Sequence, residues 1–215
     1  MTLTNAYCTI PQLEEWNKAK KAVTELTREL AISASSRGIS RYCLRNFWLS
    51  ASLSRLFAPD NAYEFDLGRY NDLTEITSLA TDTSGDGTFE TTWSAADYEL
   101  LPLNPLAAPE AQPWTSIRST GNKVFPFLST AVGETGRSAR VQITGKWGWP
   151  AIPDPVTQAC LIKAARIFTR KDTPQGEAGW AEFGTISVDS AEDREVIGLL
   201  DGYRLGRKVG MVRIR

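Results

Sequence analysis

The sequence contains no histidine among its 215 residues. Imidazole is the usual base of serine and cysteine hydrolases and a common zinc ligand, so its absence excludes those catalytic and metal sites. Three cysteines are present, Cys8, Cys43 and Cys160, and none lies in the paired spacing of a zinc site. Cys43 and Cys160 fall in helix-like sequence, where we expect them to be small core residues.

Long hydrophobic runs and a strong charge balance are also missing. No stretch approaches the roughly 20 apolar residues that a membrane-spanning helix needs, so we expect no membrane segment. The formal net charge of -1 gives no overall electrostatic reason for binding nucleic acid or an anionic membrane. The first residues, MTLTNAYCTIPQLEEW, do not place an apolar segment after a basic one. We therefore expect no secretory signal, and synthesis in the cytoplasm.

Motifs for catalysis and cofactor binding are absent as well. The sequence has no phosphate loop, dinucleotide fingerprint or nucleophile elbow, and no spacing pairs two carboxylates beside an apolar pocket. The segment 82–87, DTSGDG, superficially resembles a calcium loop, but the EF-hand pattern needs an acidic residue at its twelfth position, which is Trp93 here. We therefore predict a tight hairpin there, and a protein that is no enzyme and holds neither a cofactor nor a metal.

The most informative segment that is present covers 140–171. Its pattern predicts a strand, a turn with Trp147 and Trp149, and a helix. Asp154 is suited to accept hydrogen bonds from free N–H groups at the helix start, and the proline after it has no N–H to lose. Residues 156–168 are almost continuously apolar, so this helix must be packed on more than one side. We expect one of its faces to lie against the second helix of the chain.

Two helices are predicted before this segment. Thr9 and Gln12 fit a capping box that starts a helix over 10–18, with Leu13 and Trp16 directed inward. The second helix is predicted over 24–47 from its apolar periodicity. The residues predicted to form the structural core of the chain are Tyr42, Phe47, Trp147, Trp149, Ile167 and Phe168.

Between the helices the pattern changes from helical to alternating. Strands are predicted over 63–67, 73–79, 88–93, 97–101 and 185–188. The predicted fold class is α+β: a small helical bundle with an inserted antiparallel β domain and an extended C-terminal tail. The predicted boundaries are 1–59 for the N-terminal helices, 60–146 for the β domain, 147–201 for the C-terminal helices, ending in a helix over 189–200, and 202–215 for the tail.

The tail, 202–215, mixes basic and apolar residues and has no acidic one. Its basic residues are Arg204, Arg207, Lys208, Arg213 and Arg215, and its apolar residues are Val209, Met211, Val212 and Ile214. Three interpretations stay open: contact with DNA phosphates, a solvated terminus, and docking into an acidic protein partner. The mixture favours a protein partner over bare DNA.

Charged residues at helical spacing also lie on two of the predicted helices. Arg41 and Arg45, four residues apart on the second helix, are interpreted as surface ion-pair formers. Lys163, Arg166 and Arg170 lie at i, i+3 and i+7 and make one stripe on the central helix. The stripe is either a solvent-exposed edge or a contact with another subunit or a channel, and the sequence does not separate the two.

Several segments together resemble a known family. They are RYCLRNFW at 41–48, DTSGDGTFETTW at 82–93 followed by DYEL, and GKWGWP at 145–150 with IPDPV and AARIF after it. In order and spacing they resemble the head-to-tail connector, or adaptor, proteins of long-tailed double-stranded DNA bacteriophages. The resemblance extends over residues 9–204 and involves no catalytic signature.

This resemblance implies a structural protein of the virion neck, made in the host cytoplasm. It implies a dodecameric ring of copies under the portal protein, with a stopper or other neck protein below it. Genomic DNA would pass through the channel without sequence-specific contact, and no membrane would be a partner. The tail residues named above would form the portal-docking arm, and the β insertion would lie outside the ring or against neighbouring copies.

Two other interpretations stay open beside the resemblance. The chain could be a small nucleic-acid-binding module that uses the same basic tail, or another neck or tail-completion protein of similar shape. A ring has a native mass many times the 23.7 kDa of one chain and binds the portal. A nucleic-acid-binding module stays small and retards DNA at low salt.

Overall fold

The computed structural model describes residues 3–16, 24–105, 111–127, 139–172 and 189–206, without the side chains of 168–172 and 189–193. The chain divides into two compact units. Met1–Leu44 with Ile152–Arg215 is called the helical unit, and Arg45–Ala151 is called the β unit. Helices and antiparallel sheets in one chain confirm the predicted α+β class. The tail beyond Gly206 and the strand predicted over 185–188 lie outside the described residues.

The described part of the helical unit contains four α-helices and a short 3-10 turn. In chain order they are α1 (Ile10–Trp16), α2 (Glu25–Cys43), α3 (Asp154–Asp172), α4 (Asp189–Leu200) and the 3-10 turn Asp201–Tyr203. α3 packs against α1, α2 and α4, which confirms that this apolar helix is covered on more than one side. Its buried residues include Ala159, Cys160 and Ala164, whose small side chains let the neighbouring helices approach closely.

The start of α1 follows the predicted capping box. Gln12 Oε1 accepts the backbone N–H of Thr9 at 2.8 Å, and Thr9 Oγ1 accepts the N–H of Gln12 at 3.4 Å. Leu13 is buried as expected, whereas the predicted inward position of Trp16 is wrong because this side chain is 50% exposed. The described helix reaches Trp16, and residue 18 lies outside the described residues.

α2 is shorter than predicted at its C-terminal end. Leu44 adopts the left-handed conformation with a φ of 57°, and its N–H bonds to Ser40 O, which ends the helix at Cys43. The prediction of a helix to residue 47 is wrong because this cap, usually a glycine, is a leucine here and leaves no stop signal. Arg45 is buried in the β unit, so the predicted surface position of Arg45 beside Arg41 is also wrong.

The described part of the β unit contains seven strands in two antiparallel sheets. They are β1 (Leu53–Phe57), β2 (Glu64–Asp66), β3 (Leu73–Thr81), β4 (Thr91–Trp93), β5 (Tyr98–Leu101), β6 (Ser116–Ser119) and β7 (Val141–Trp147). The strand orders are β1–β7–β3–β4 and β2–β6–β5. The β3–β4 hairpin confirms the predicted strand-turn-strand. The sequence predicts neither β1 nor β6, and β1 lies within the segment predicted as N-terminal helices.

Aromatic side chains form the centre of the β-unit core. Trp93 stacks on Phe125 with ring centroids 4.6 Å apart, and Phe65 meets Phe125 edge-on at 4.9 Å. Phe57 contacts both Phe65 and Trp147, at 5.9 and 5.6 Å. Because these residues come from both sheets, one core holds the two sheets together.

A buried ion pair lies next to the start of β3. Arg45 Nη2 donates to Asp72 Oδ1 at 2.6 Å, and the two side chains are only 9% and 2% exposed. The guanidinium also lies 5.0 Å from the ring centroid of Trp149. Burial raises the pKa of the Asp72 carboxyl, and the hydrogen bonds from Arg45 oppose that rise.

Asp97 closes the turn before β5. Its Oδ2 accepts the Ser94 N–H at 2.6 Å and the Ser94 hydroxyl at 2.8 Å, and Lys123 Nζ lies 2.8 Å away. The hydrogen bond from Lys123, followed by those from Ser94, lowers the pKa of Asp97 to about 2. The charged form of this carboxyl is therefore favoured in the folded protein.

Asp97→Asn is expected to show this charge as a pH-dependent stability difference. A carboxyl whose folded pKa is depressed stabilises the fold above its unfolded pKa, and this contribution is lost as the pH falls through the folded pKa. The variant should be less stable than the wild type near neutral pH, and the difference should shrink as the pH falls from 3.8 to about 2. Urea unfolding midpoints across this range measure it, and parallel curves would contradict the assignment.

Candidate assembly surfaces

The charged stripe of α3 lies partly against α2. Lys163 is half-buried, and a Cβ added to Gly38 of α2 would lie 3.6 Å from Lys163 Cε. The missing side chain at Gly38 therefore leaves room for the lysine stem, which is apolar. Arg166, one turn further along α3, is half-buried too. The side chain of Arg170 lies outside the described residues.

The root of the tail is bound to the end of α2. The N–H of Leu205 donates to Cys43 O at 2.8 Å, which satisfies a carbonyl in the last turn of the helix. The Arg204 guanidinium lies 5.3 Å from the ring centroid of Tyr42. Of the basic and apolar tail residues predicted to dock on the portal, Arg204 is the one that lies among the described residues, and it is exposed. The others, Arg207, Lys208, Val209, Met211, Val212, Arg213, Ile214 and Arg215, lie outside the described residues.

The residues predicted as core fall into different environments. Trp147, Trp149 and Phe47 are buried in the β unit, where the rings of Phe47 and Trp149 lie 5.3 Å apart. Tyr42 is half-buried beneath Arg204. The prediction that Ile167 is a core residue is wrong, because its side chain is 40% exposed and lies on an outer face of α3. The side chain of Phe168 lies outside the described residues.

The helical unit exposes apolar side chains that the sequence pattern does not identify as exposed. Leu26 and Leu30, one turn apart on α2, are 53% and 55% exposed. Trp16 lines a shallow groove of about 520 Å³ together with Gln12, Glu15 and Leu161. Exposed apolar side chains in groups are typical of surfaces that meet another protein.

The loop that resembles a calcium site uses its carboxylate internally. Asp82 Oδ1 accepts the N–H of Gly85 at 2.5 Å, and Oδ2 accepts that of Gly87 at 2.7 Å. Burial would raise the pKa of Asp82, but these N–H donors outweigh it and hold the pKa below its ordinary value. A carboxylate that accepts two backbone N–H groups closes the turn between β3 and β4 as a hairpin loop does.

A metal-binding cluster and a membrane-spanning helix are both missing from the described residues. Within that part of the chain, no group of three or more aspartate, glutamate or cysteine side chains is placed to hold a metal ion. No helix that the structure describes is long and apolar enough to cross a membrane.

The fold is similar to that of chains in solved neck and virion structures of gene transfer agent (GTA) particles. The sequence itself matches no family model and no curated protein. A chain from the neck of an empty GTA particle, computed with C6 symmetry, matches with a TM-score of 0.58 and 15% identity. A chain from the neck of a native GTA particle, computed with C12 symmetry, matches with a TM-score of 0.55 and 16% identity. Both matches cover 98% of this chain and 95% of the other.

A third similar chain comes from the virion of a native gene transfer agent (GTA) particle, with a TM-score of 0.50 and 15% identity. It also covers 98% of this chain and 95% of the other chain. At identities this low the likeness concerns the fold, in this case the whole fold of both units rather than one of them.

Proposed function

We propose that this protein is a structural component of the neck of a tailed bacteriophage or phage-like particle, where copies of it form a ring. The observation that carries the proposal is the end-to-end match to neck chains, 98% of this chain against 95% of theirs. Those necks were computed with C6 and C12 symmetry, which requires repeated copies around an axis. The exposed Trp16, Leu26 and Leu30 of the helical unit support association with other protein chains.

Within the neck, the proposed role is that of an adaptor between the portal protein and the stopper. The segment 207–215 docks on the portal, and the ring, twelve copies in the proposal, continues the channel through which genomic DNA passes. The bound root of the tail supports this, because the Leu205–Cys43 hydrogen bond fixes where the docking segment begins on each subunit. Lys163, Arg166 and Arg170 face a neighbouring subunit or the channel in the same proposal. The protein acts by assembly and not as an enzyme.

Truncation after Gly206 tests the adaptor role and keeps the bound root of the tail in place. We expect the full chain to bind purified portal rings of the same particle, and the truncated chain to bind on the order of 100-fold more weakly, as for loss of a central contact segment. The helical unit should keep its stability, because Arg204 and Leu205 remain. Surface plasmon resonance measures the affinity, and equal binding of both chains would refute the docking role.

Two variants that keep the tail separate the contribution of its basic residues to docking from that of its apolar residues. One replaces Arg207, Lys208, Arg213 and Arg215 by glutamine, and the other replaces Val209, Met211, Val212 and Ile214 by serine. Docking into a protein groove is weakened by both changes, and the loss from the serine variant does not depend on salt. If the chain stays at 23.7 kDa in native mass spectrometry and only the glutamine variant loses DNA retardation at low salt, the nucleic-acid module is the better interpretation.

A further inference from the structure

Two buried cysteines of the helical unit contact each other. Cys8 precedes α1 and Cys160 lies in α3, 152 residues further along the chain, yet their Sγ atoms are 3.3 Å apart. Cys8 is 4% exposed and Cys160 is fully buried, and both are free thiols. A disulfide has an S–S distance of about 2.05 Å, so about 1 Å of movement separates this contact from a covalent bond.

A polar contact chain holds the two sulfurs in place. The N–H of Tyr7 donates to Ser36 Oγ at 3.0 Å, and the same hydroxyl lies 3.5 Å from Cys160 Sγ. The hydroxyls of Tyr7 and Ser40 are 2.5 Å apart one turn further along α2. Tyr7, the residue before Cys8, is therefore bound to α2 through both its N–H and its hydroxyl, and this positions Cys8 against α3.

The two thiols differ in acidity. The hydrogen bond from Cys8 lowers the pKa of Cys160. The same hydrogen bond and burial raise the pKa of Cys8. Because the thiolate is the reactive form, Cys160 is the nucleophile of the pair and Cys8 is the thiol that reacts second.

We propose that Cys8 and Cys160 are a site of oxidative modification, where a peroxide converts the contact into an intramolecular disulfide. The Cys160 thiolate attacks one oxygen of hydrogen peroxide, an S–O bond forms, the O–O bond breaks, and the departing hydroxide takes up a proton to become water. The Cys8 sulfur then attacks the Cys160 sulfur, the S–S bond forms, and the sulfenic oxygen leaves as water with the proton of Cys8. Two thiols are oxidised and one peroxide is reduced to two waters.

The product would join the segment before α1 covalently to α3. The bond closes a loop of 152 residues, and cross-links across long loops remove much conformational freedom from the unfolded chain. Hydrogen peroxide is small and uncharged, so it reaches a buried pair more readily than a large disulfide oxidant does. The expected effect of oxidation is a rise in the unfolding temperature of roughly 5–10 °C.

Peptide mapping of the full-length protein tests the site. The protein is treated with hydrogen peroxide, remaining thiols are alkylated after denaturation, and the digest is read by mass spectrometry without and with reduction. We expect a reducible peptide pair that joins Cys8 to Cys160, with a mass lower by two hydrogens than the two separate peptides. Cys43→Ser is the matched control, because it removes the third thiol and should leave the link intact.

Cys8→Ser supplies the complementary measurement. It should abolish the link, leave Cys160 to proceed to sulfinic acid, and remove the rise in unfolding temperature on oxidation. The wild-type map decides the question even if this variant folds poorly. Complete alkylation of both cysteines after peroxide treatment, or a link that involves Cys43, would show the proposal to be wrong.

Discussion

Replacement of Arg45 by methionine is expected to lower the free energy of unfolding by about 3–5 kcal/mol, because it leaves the Asp72 carboxylate buried without its cation. Three hydrogen bonds disappear: Arg45 Nε to both carboxylate oxygens at 3.0 Å, and Nη2 to Oδ1 at 2.6 Å. Methionine keeps much of the side-chain volume, so the change removes charge more than packing. Urea unfolding followed by tryptophan fluorescence measures the loss, since Trp149 lies against Arg45.

A second variant and a matched exposed pair separate charge burial from other effects. Arg45→Met combined with Asp72→Leu removes both charges and should recover most of the lost stability. Lys146 and Glu75 form an equally short pair at 2.6 Å, but their side chains are 41% and 56% exposed. Because solvent screens that pair, Glu75→Gln should cost less than about 1 kcal/mol. A similar cost for Arg45→Met would contradict the assigned role of the buried pair.

The pH dependence of Arg45→Met has a defined sign. Burial already raises the pKa of Asp72 above its ordinary 3.8, and the substitution removes the guanidinium that opposes the rise. A carboxyl with a raised folded-state pKa binds more protons when folded, so the folded state gains stability as the pH falls. The stability difference between wild type and Arg45→Met should therefore narrow as the pH is lowered from neutral. A difference that stays constant would mean that loss of Arg45 leaves the folded-state pKa of Asp72 unchanged.

The helices could be predicted closely because their signals are local. The Thr9–Gln12 capping box and the apolar run of α3 depend on residues within a few turns of each other. α4 is found over the predicted 189–200 for the same reason. The end of α2 could not be predicted, because Leu44 takes a left-handed conformation that leucine does not favour.

The strands and the ion pair that the sequence did not show depend on distant partners. β1 is held by β7, with Leu53 opposite Gly145 and Phe57 opposite Val141. Nothing within LSRLF itself distinguishes a strand from the end of a helical segment. In the same way, the buried partner of Arg45 is Asp72, which is 27 positions away in the sequence. The helical pattern relates Arg45 only to residues three or four positions away.

The candidate assembly surfaces could not be predicted from this sequence alone, because an interface depends on the residues of two chains. The spacing of Lys163 and Arg166 identifies one stripe on α3 but fits a solvent-exposed edge as well as a subunit contact. The structure adds that the Lys163 stem lies beside Gly38, and that the tail root is bound through Leu205. The Leu205 contact makes Gly206 the position after which the tail can be removed with its root still bound, and the sequence alone does not indicate this position.

Gly148→Ala is expected to destabilise the β unit by about 4 kcal/mol or more, at the upper end of single substitutions. Gly148 has a φ of +112°, which side chains with a Cβ rarely adopt, and an added Cβ would lie 1.8 Å from Trp48 O. The neighbouring backbone has little freedom to move away. Gly148 N–H donates to Asp72 O at 2.8 Å, and Ser50 N–H donates to Trp147 O at 2.7 Å.

Two other glycines of the β unit separate the two causes of the expected loss, which are backbone strain at a positive φ and the clash of an added Cβ. Gly121 has a φ of +72° and no atom within 4 Å of an added Cβ, so Gly121→Ala should cost only about 1–2 kcal/mol of backbone strain. Gly145 has no positive φ, but its Cβ would lie 2.1 Å from Glu75 O, so Gly145→Ala should show the cost of the clash alone. Thermal and urea unfolding of the three variants place them in the order Gly148, Gly145, Gly121.

The order of the three losses is the decisive measurement, because it follows from geometry at each position rather than from residue type. If Gly148→Ala costs no more than Gly121→Ala, the Trp48 backbone can move away from Gly148. The backbone hydrogen bonds of Ser50 and Asp72 would then not hold the two segments at a fixed distance. If Gly145→Ala is as mild as Gly121→Ala, β3 and β7 can separate locally at little cost. The expected order instead means that the backbone of Trp48 gives way least to a Cβ at position 148, and that the backbone of β3 gives way little to one at position 145.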